Sequence, residues 1–184
     1  YNALITENIV NACLHKNARK LCHVSSISAL GRVKNGDEST EKDFFNFNQK
    51  PSFYGTSKFL AEQHVWRAQA EGLSTVIVNP SVILGIGDWS KGSAKLITTV
   101  YDGLKFYTKG VNGYIDVRDV AKTMVQLMDS EIENERFILN TENLSYKDLF
   151  THIARELKVA PPPFKANRIL SSIAWRLVKV WSLM

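Results

Sequence analysis

The chain has 184 residues, enough to bury a real core, and its length suggests one domain with at most a small appendage. It is 45% hydrophobic and 22% charged, the balance of a soluble globular protein. The net charge of +5 comes from 23 basic and 18 acidic side chains, scattered with no basic run of five or six, which argues against a nucleic-acid surface.

The first stretch, 2–17, places Ile5, Ile9, Ala12 and Cys13 at the spacing of one helix face. It starts straight into this pattern without an initiator Met, as expected of a chain cut from a longer one. Nothing before the helix resembles the charged n-region and apolar core of a signal peptide. The run from Lys20 to Val24 reads as a short buried strand ending in Ser25 and Ser26. From Gly31 to Ser52 the chain turns polar, around a lone aromatic cluster of Phe44, Phe45 and Phe47. That segment reads as a long loop, a length usually reserved for function or motion.

Tyr54 to Gly72 reads as a second helix, with Leu60, Ala61, His64, Val65 and Ala68 on one face. The β-branched run from Ser74 to Val78 has the composition of a parallel strand buried on both faces. This strand and helix rhythm argues for βαβ units. Further on, Gly85 to Lys91 is a glycine-rich loop and Ser93 to Gly103 a helix. Asp116 opens another helix, with Asp119 three residues later and Val120, Met124, Leu127 and Met128 on its face. Arg136 to Leu139 reads as a strand. Ser145 caps a helix with Asp148 at its third position and Leu149, Phe150, Ile153, Ala154 and Leu157 on its stripe, broken by Pro161 to Pro163. A last apolar stripe runs through Ile169, Leu170, Ile173, Ala174, Leu177, Val178 and Trp181. No stretch of about eighteen apolar residues offers a membrane span. Cys13 and Cys22 lack metal-type spacing, so no metal is expected, and they read as structural thiols in the reducing cytoplasm.

Chemistry concentrates in three places: Ser25 and Ser26 at a strand end, YGTSK (Tyr54 to Lys58) at a helix start, and Pro80, Ser81 and Val82 after the next strand. Residues four apart share a helix face, so Tyr54 and Lys58 can point together toward the carboxyl ends of the strands, where open α/β sheets bind ligands. An ammonium beside a phenol favours the phenolate, which suits proton transfer near neutral pH. A serine hydroxyl across the site could hold a substrate oxygen as its charge changes. Alone, Y-x-x-x-K is a weak signal, since an exposed pair of this kind is common on helices. The order of Ser-Ser strand end, Tyr-led helix and Pro-ended strand is what sharpens it. His23 has no carboxylate or nucleophile to pair with and reads as a core or cofactor-side histidine. His64 reads as packing, and Asp116, Arg118 and Asp119 as a helix cap with an ion pair.

HVSSISALG, YGTSK, VNPSVILGIG and YIDVRDVA resemble four successive signatures of the extended short-chain dehydrogenases/reductases, the NAD-dependent epimerase/dehydratase family. That group includes nucleotide-sugar epimerases and dehydratases, dihydroflavonol reductases and 3β-hydroxysteroid dehydrogenases. The resemblance runs to about Leu157. It implies an α/β fold: the C-terminal part of a Rossmann-type parallel sheet with helices, plus part of a small, mostly α substrate domain. Residues 1–84 would be the second half of the NAD(P)-binding domain and carry the catalytic residues. Residues 85–184 would be a mixed substrate-binding region, with 113–140 rejoining the core.

By the same resemblance Tyr54 is the proton donor or acceptor, and Lys58 binds the nicotinamide ribose while tuning Tyr54. Ser26, five residues before Gly31, holds the substrate oxygen. Val24, Ser25, Pro80, Ser81 and Val82, with Tyr54 and Lys58 themselves, approach the cofactor, NAD or NADP. The family's G-x-x-G-x-x-G loop is absent from the chain, so the chain by itself is expected to be inactive. Asn2 matches the family's N-V-x-G-T segment, whereas Ile5 stands where glycine is usual.

The expected reaction is reduction of a ketone or oxidation of a secondary alcohol on a bulky, largely apolar small molecule. Val82, Ile83 and Leu84 resemble the reductase branch more than the R-x-x-N-V-Y-G-P segment of sugar-nucleotide enzymes. A nucleotide-sugar epimerase or dehydratase is the alternative within enzymes. A non-catalytic dinucleotide sensor is the alternative outside them, disfavoured because it has no need of Ser, Tyr and Lys together. The resemblance leaves room for a homodimer. Trp175, Arg176, Lys179 and Trp181 read as part of a substrate-domain helix in preference to one lying on a membrane surface.

Overall fold

A computed structural model describes residues 1–31, 39–43 and 45–166. Phe44 and the C-terminal stripe from Ile169 to Trp181, with Trp175, Arg176 and Lys179, lie outside the described residues. The elements in chain order are α1 (Asn2–His15), β1 (Lys20–Val24), α2 (Phe53–Ala70), β2 (Ser74–Pro80), β3 (Val82–Leu84), α3 (Lys95–Tyr101), β4 (Phe106–Tyr107), β5 (Val111–Asp116), α4 (Val117–Asp129), β6 (Glu135–Leu139), β7 (Glu142–Ser145), α5 (Tyr146–Glu156) and β8 (Phe164–Lys165). No helix among the described residues is long and apolar enough to cross a membrane.

The chain divides into two compact units. The first joins Tyr1–Ile83 to Ile115–Thr141, and the second takes Leu84–Tyr114 and Glu142–Met184, of which 142–166 are described at its C-terminal end. The first unit is built on a parallel sheet of order β1-β2-β6, with Cys22 opposite Val76 and Val78 opposite Phe137. β2 is central, and Thr75 to Pro80 are all buried. A strand covered on both faces needs apolar residues at successive positions, as TVIV supplies. Val76 and Val78 pack with Ile115, Val120, Leu127 and Leu139 on the α4 face. Ile77 packs with Val10, Val65, Ala68 and Leu73 on the α1/α2 face. Burying each such side chain contributes about 1.5–3 kcal/mol.

Two helix faces differ from the sequence expectation. On α1 the buried residues are Thr6 and Val10, while Ile5 and Ile9 are 54% and 48% exposed. Apolar residues wrap around this helix, so periodicity alone selects the wrong stripe. On α2, Ala61, Val65 and Ala68 are buried as expected, but Leu60 is exposed and Glu62 is buried in its stead.

Among its described residues the second unit mixes strands with the helices α3 and α5. β5 pairs antiparallel with β7, Asn112 opposite Leu144, and β4 pairs parallel with β8. Ser145 caps α5 as its sequence predicts: its Oγ accepts from the Asp148 amide at 3.1 Å and donates to the Asp148 carboxylate at 2.6 Å. In the first unit Asp116 caps α4 by accepting from the Arg118 amide at 2.7 Å. Arg118's guanidinium, hydrogen-bonded to the same carboxylate, helps hold the Asp116 carboxyl down at about 2. These polar residues act as cap and ion pair.

Candidate active site

The candidate residues converge on the C-terminal ends of β1 and β2 in the first unit. β1 ends at Val24, and the Ser25 amide still donates to Val78 O at 2.8 Å, which carries the β1–β2 pairing one residue further. Ser26 then caps a short 3₁₀ turn, Ile27–Ala29, its Oγ accepting from the Ser28 amide at 3.2 Å. Ser25 is buried, and its Oγ has no hydrogen-bond partner among the described residues.

α2 begins beside this turn. Ser52 caps it by accepting from the Gly55 amide at 3.0 Å. A Cβ on Gly55 would stand 2.6 Å from the Ser28 carbonyl oxygen, so only glycine lets the helix come this close. Tyr54 sits in this first turn with 52% of its surface exposed. Its carbonyl accepts from Ser57 Oγ at 2.8 Å, and Ser57 Oγ accepts in turn from Asn2 Nδ2 at 3.0 Å, which ties the start of α1 to that of α2.

One turn further, Lys58 reaches back to the sheet, and its Nζ donates to Val24 O at 3.0 Å. Burial lowers the pKa of its ammonium, while the charge of Glu62 opposes the shift. At the end of β2, Pro80 is buried and the Ser81 amide donates to Leu139 O at 2.9 Å. Ser81 Oγ, like Ser25 Oγ, is buried without a partner among the described residues, and Val82 opens β3 half-buried. The fold thus brings Val24, Ser25, Lys58, Pro80 and Ser81 to one sheet edge and sets Tyr54 one helical turn from Lys58.

His23 also belongs to this neighbourhood. It is neutral at neutral pH, its pKa pushed down to about 4 by burial first and by the charge of Lys58 second. An unfolded chain protonates histidine near 6.5. Between those values the unfolded state binds a proton that the native state refuses, so stability is full above pH 6.5 and is lost as pH falls toward 4. The gap is worth at most roughly 3 kcal/mol, less for a ring that is not fully buried. His23→Leu is expected to flatten this part of the stability curve. Urea unfolding of both proteins at pH 7 and pH 5 checks it, and an unaltered difference between the two pH values would exclude His23 as the cause.

Two polar residues that sequence reasoning passed over lie in the same place. Glu62 is 1% exposed and Asn79 is fully buried. Asn79 Nδ2 donates to Glu62 Oε1 at 2.7 Å and to Ser26 O at 3.0 Å. The signal in the sequence is an acid four residues beyond Lys58, within the buried stripe. Two of the loop aromatics pack on the helix that carries Tyr54 and Lys58. Phe45 stacks on Phe59 of α2 at 4.5 Å and meets Phe47 edge-on at 5.1 Å, forming a cluster on the helix.

Residues 1–139 match the profile of the NAD dependent epimerase/dehydratase family. The chain belongs to that family. Among curated relatives it is 27% identical over 175 residues to a cinnamoyl-CoA reductase 1 of Petunia hybrida, covering 89% of this chain and 52% of that protein. It is 29% identical over 164 residues to a putative dihydroflavonol 4-reductase of Synechocystis, covering 83% and 46%. The chain spans about half the length of the curated relatives it matches. Its fold is similar to that of a nucleoside-diphosphate-sugar epimerase from Pseudomonas aeruginosa, with a TM-score of 0.82 at 23% identity over 93% of this chain and 57% of that one. A UDP-glucose 4-epimerase of Thermus thermophilus in complex with NAD gives 0.73 at 22% identity, over 88% and 55%. The Rossmann-type α/β architecture is common to this family member and those structures.

Proposed function

We propose that the protein carrying this chain is an NAD(P)-dependent oxidoreductase acting on a ketone or secondary alcohol of a bulky, largely apolar molecule. The observation that carries this is Lys58, anchored at 3.0 Å to Val24 O one helical turn from Tyr54, beside two buried serine hydroxyls that find no partner among the described residues. A buried polar group without a partner costs about 1–3 kcal/mol, and Ser25 Oγ and Ser81 Oγ fit the polar ribose and carboxamide of a nicotinamide cofactor. When bound, NAD(P) supplies hydride transfer on carbon. Lys58 would hold the ribose, Tyr54 would move the proton on the substrate oxygen, and Ser26 would orient that oxygen. In this reading the first unit is the cofactor side and the second belongs to the substrate.

The choice of branch rests on Val82, Ile83 and Leu84, which offer no arginine or asparagine to grip a diphosphate. Asn112 in β5 is also committed, its Nδ2 donating to Tyr146 OH at 2.8 Å. Curated relatives named as reductases favour the same branch. A nucleotide-sugar substrate is the second reading, and one feature favours it. Lys165 has its pKa lowered, first by the charge of Lys109, then by desolvation and a hydrogen bond with Lys109, and last by Lys147. These three lysines of the second unit thus lie close enough to feel one another's charge, a grouping that would suit phosphate.

The full-length protein, supplied with NADH or NADPH, is to be assayed against aromatic and alicyclic ketones and against nucleotide sugars. Cofactor oxidation with the ketones alone is the expected result. Conversion of the sugars alone would overturn the choice of branch.

A further inference from the structure

Glu62 does more than fill the α2 interface. It stands at the third position of the series Tyr54, Lys58, Glu62, each one helical turn beyond the last, and is 1% exposed. Burying a carboxylate is costly unless hydrogen bonds and a cation compensate it. Here Asn79 Nδ2 donates to Oε1 at 2.7 Å, and Arg136 Nη1 lies 3.5 Å from Oε2. Arg136 in turn donates to Glu41 O at 2.8 Å and Asp43 O at 2.9 Å, and Glu41 Oε1 accepts from the Ile138 amide at 2.9 Å.

The orientation of Asn79 is dictated by its partners. Both Glu62 Oε1 and Ser26 O are acceptors, so the amide nitrogen must face them. Asn79 Oδ1 is then buried without a partner among the described residues, a cost a leucine or valine at this strand position would not incur. What the arrangement secures is one hydrogen bond, from the sheet to the peptide of Ser26.

We infer that Glu62 is a positioning residue, which through Asn79 fixes the turn carrying Ser26 and through its charge supports the ammonium of Lys58. The inference rests on the proposed oxidoreductase reading, since it assigns Glu62 to the Ser26, Tyr54 and Lys58 group. Glu62 touches neither substrate nor cofactor. A merely structural Glu62 would affect melting and nothing else. A positioning Glu62 also affects the geometry of the serine turn in the folded protein, because its partner Asn79 is itself bonded to Ser26 O.

The test uses two variants of the full-length protein. Glu62→Gln keeps an acceptor for Asn79 and removes the charge, and Asn79→Ala cuts the link to Ser26 while leaving Glu62 with Arg136. Amide hydrogen exchange is read at Ala29 and Leu30, whose N–H groups close the turn onto Ser26 O at 2.9 Å and Ile27 O at 3.1 Å. It needs no turnover, so it judges the coupling even if the proposed reaction is wrong. Asn79→Ala is expected to speed exchange at Ala29 and to lower kcat by roughly 10–10²-fold with KM little changed. Glu62→Gln is expected to lower kcat while leaving exchange at Ala29 near wild type. Wild-type exchange at Ala29 in Asn79→Ala would overturn the inference. So would wild-type kcat in both variants while Tyr54→Phe is inactive, whatever their melting temperatures.

Discussion

Tyr54→Phe in the full-length protein is expected to lower kcat by about 10²–10⁴-fold, the usual cost of removing a positioned general acid or base. Cofactor affinity should hardly change, because the ring remains and Lys58 keeps its bond to Val24 O. The variant is also expected to fold normally. Tyr54 is half exposed, and the described hydrogen bond it makes within the helix start uses its backbone carbonyl. Exposed substitutions of this kind usually stay within about 0.5 kcal/mol. Steady-state kinetics with calorimetric titration of NADH therefore separates chemistry from binding and from folding. A variant keeping more than about a tenth of the wild-type kcat would remove Tyr54 from the mechanism.

Gly55→Ala should be strongly destabilising at a position where the general rule says the opposite. In a helix, alanine is ordinarily more favourable than glycine by about 0.5–1 kcal/mol. Here its methyl group would lie 2.6 Å from a backbone oxygen, Ser28 O, and 3.2 Å from the capping Ser52 Oγ. Backbone on both sides must give way, a strain of about 1–3 kcal/mol, and the melting temperature should fall by several degrees. The strain is applied between the helix start that holds Tyr54 and the turn that holds Ser26, so activity should fall further than stability accounts for. Thermal unfolding with kinetics well below the melting point would reveal both effects. A Gly55→Ala protein as stable as wild type would mean that the two segments are not held as closely as the structure places them.

What could be read in advance was local. The valine-rich run of β2, the caps at Asp116 and Ser145, and the order of serine strand end, YGTSK and Pro-ended strand all reside in short stretches of sequence. What could not be read depended on distant partners. Ile5 and Ile9 look like a core stripe until α2 and Ile77 select Thr6 and Val10 instead. Glu62 looks like a surface acid until Asn79 and Arg136, 17 and 74 residues away, enclose it. β4 and β8, of two residues each, are too short to show any alternation. The phenylalanines of the long loop also depend on a distant partner: Phe45 and Phe47 cluster on Phe59, on the far side of Pro51.

The placement of β2 between β1 and β6 also sets a timetable for synthesis. β1 is already made when β2 leaves the ribosome, so one side of the strand can pair at once. The other side waits for β6, because Leu84–Tyr114 is assigned to a different unit and α4 comes before the strand that completes the ladder. Roughly 55 residues separate Pro80 from Glu135, which at about 5–20 residues per second is a delay of roughly 3–11 s. During that interval the nascent protein presents TVIV as an unpaired, apolar edge, the kind of surface on which neighbouring chains template aggregation.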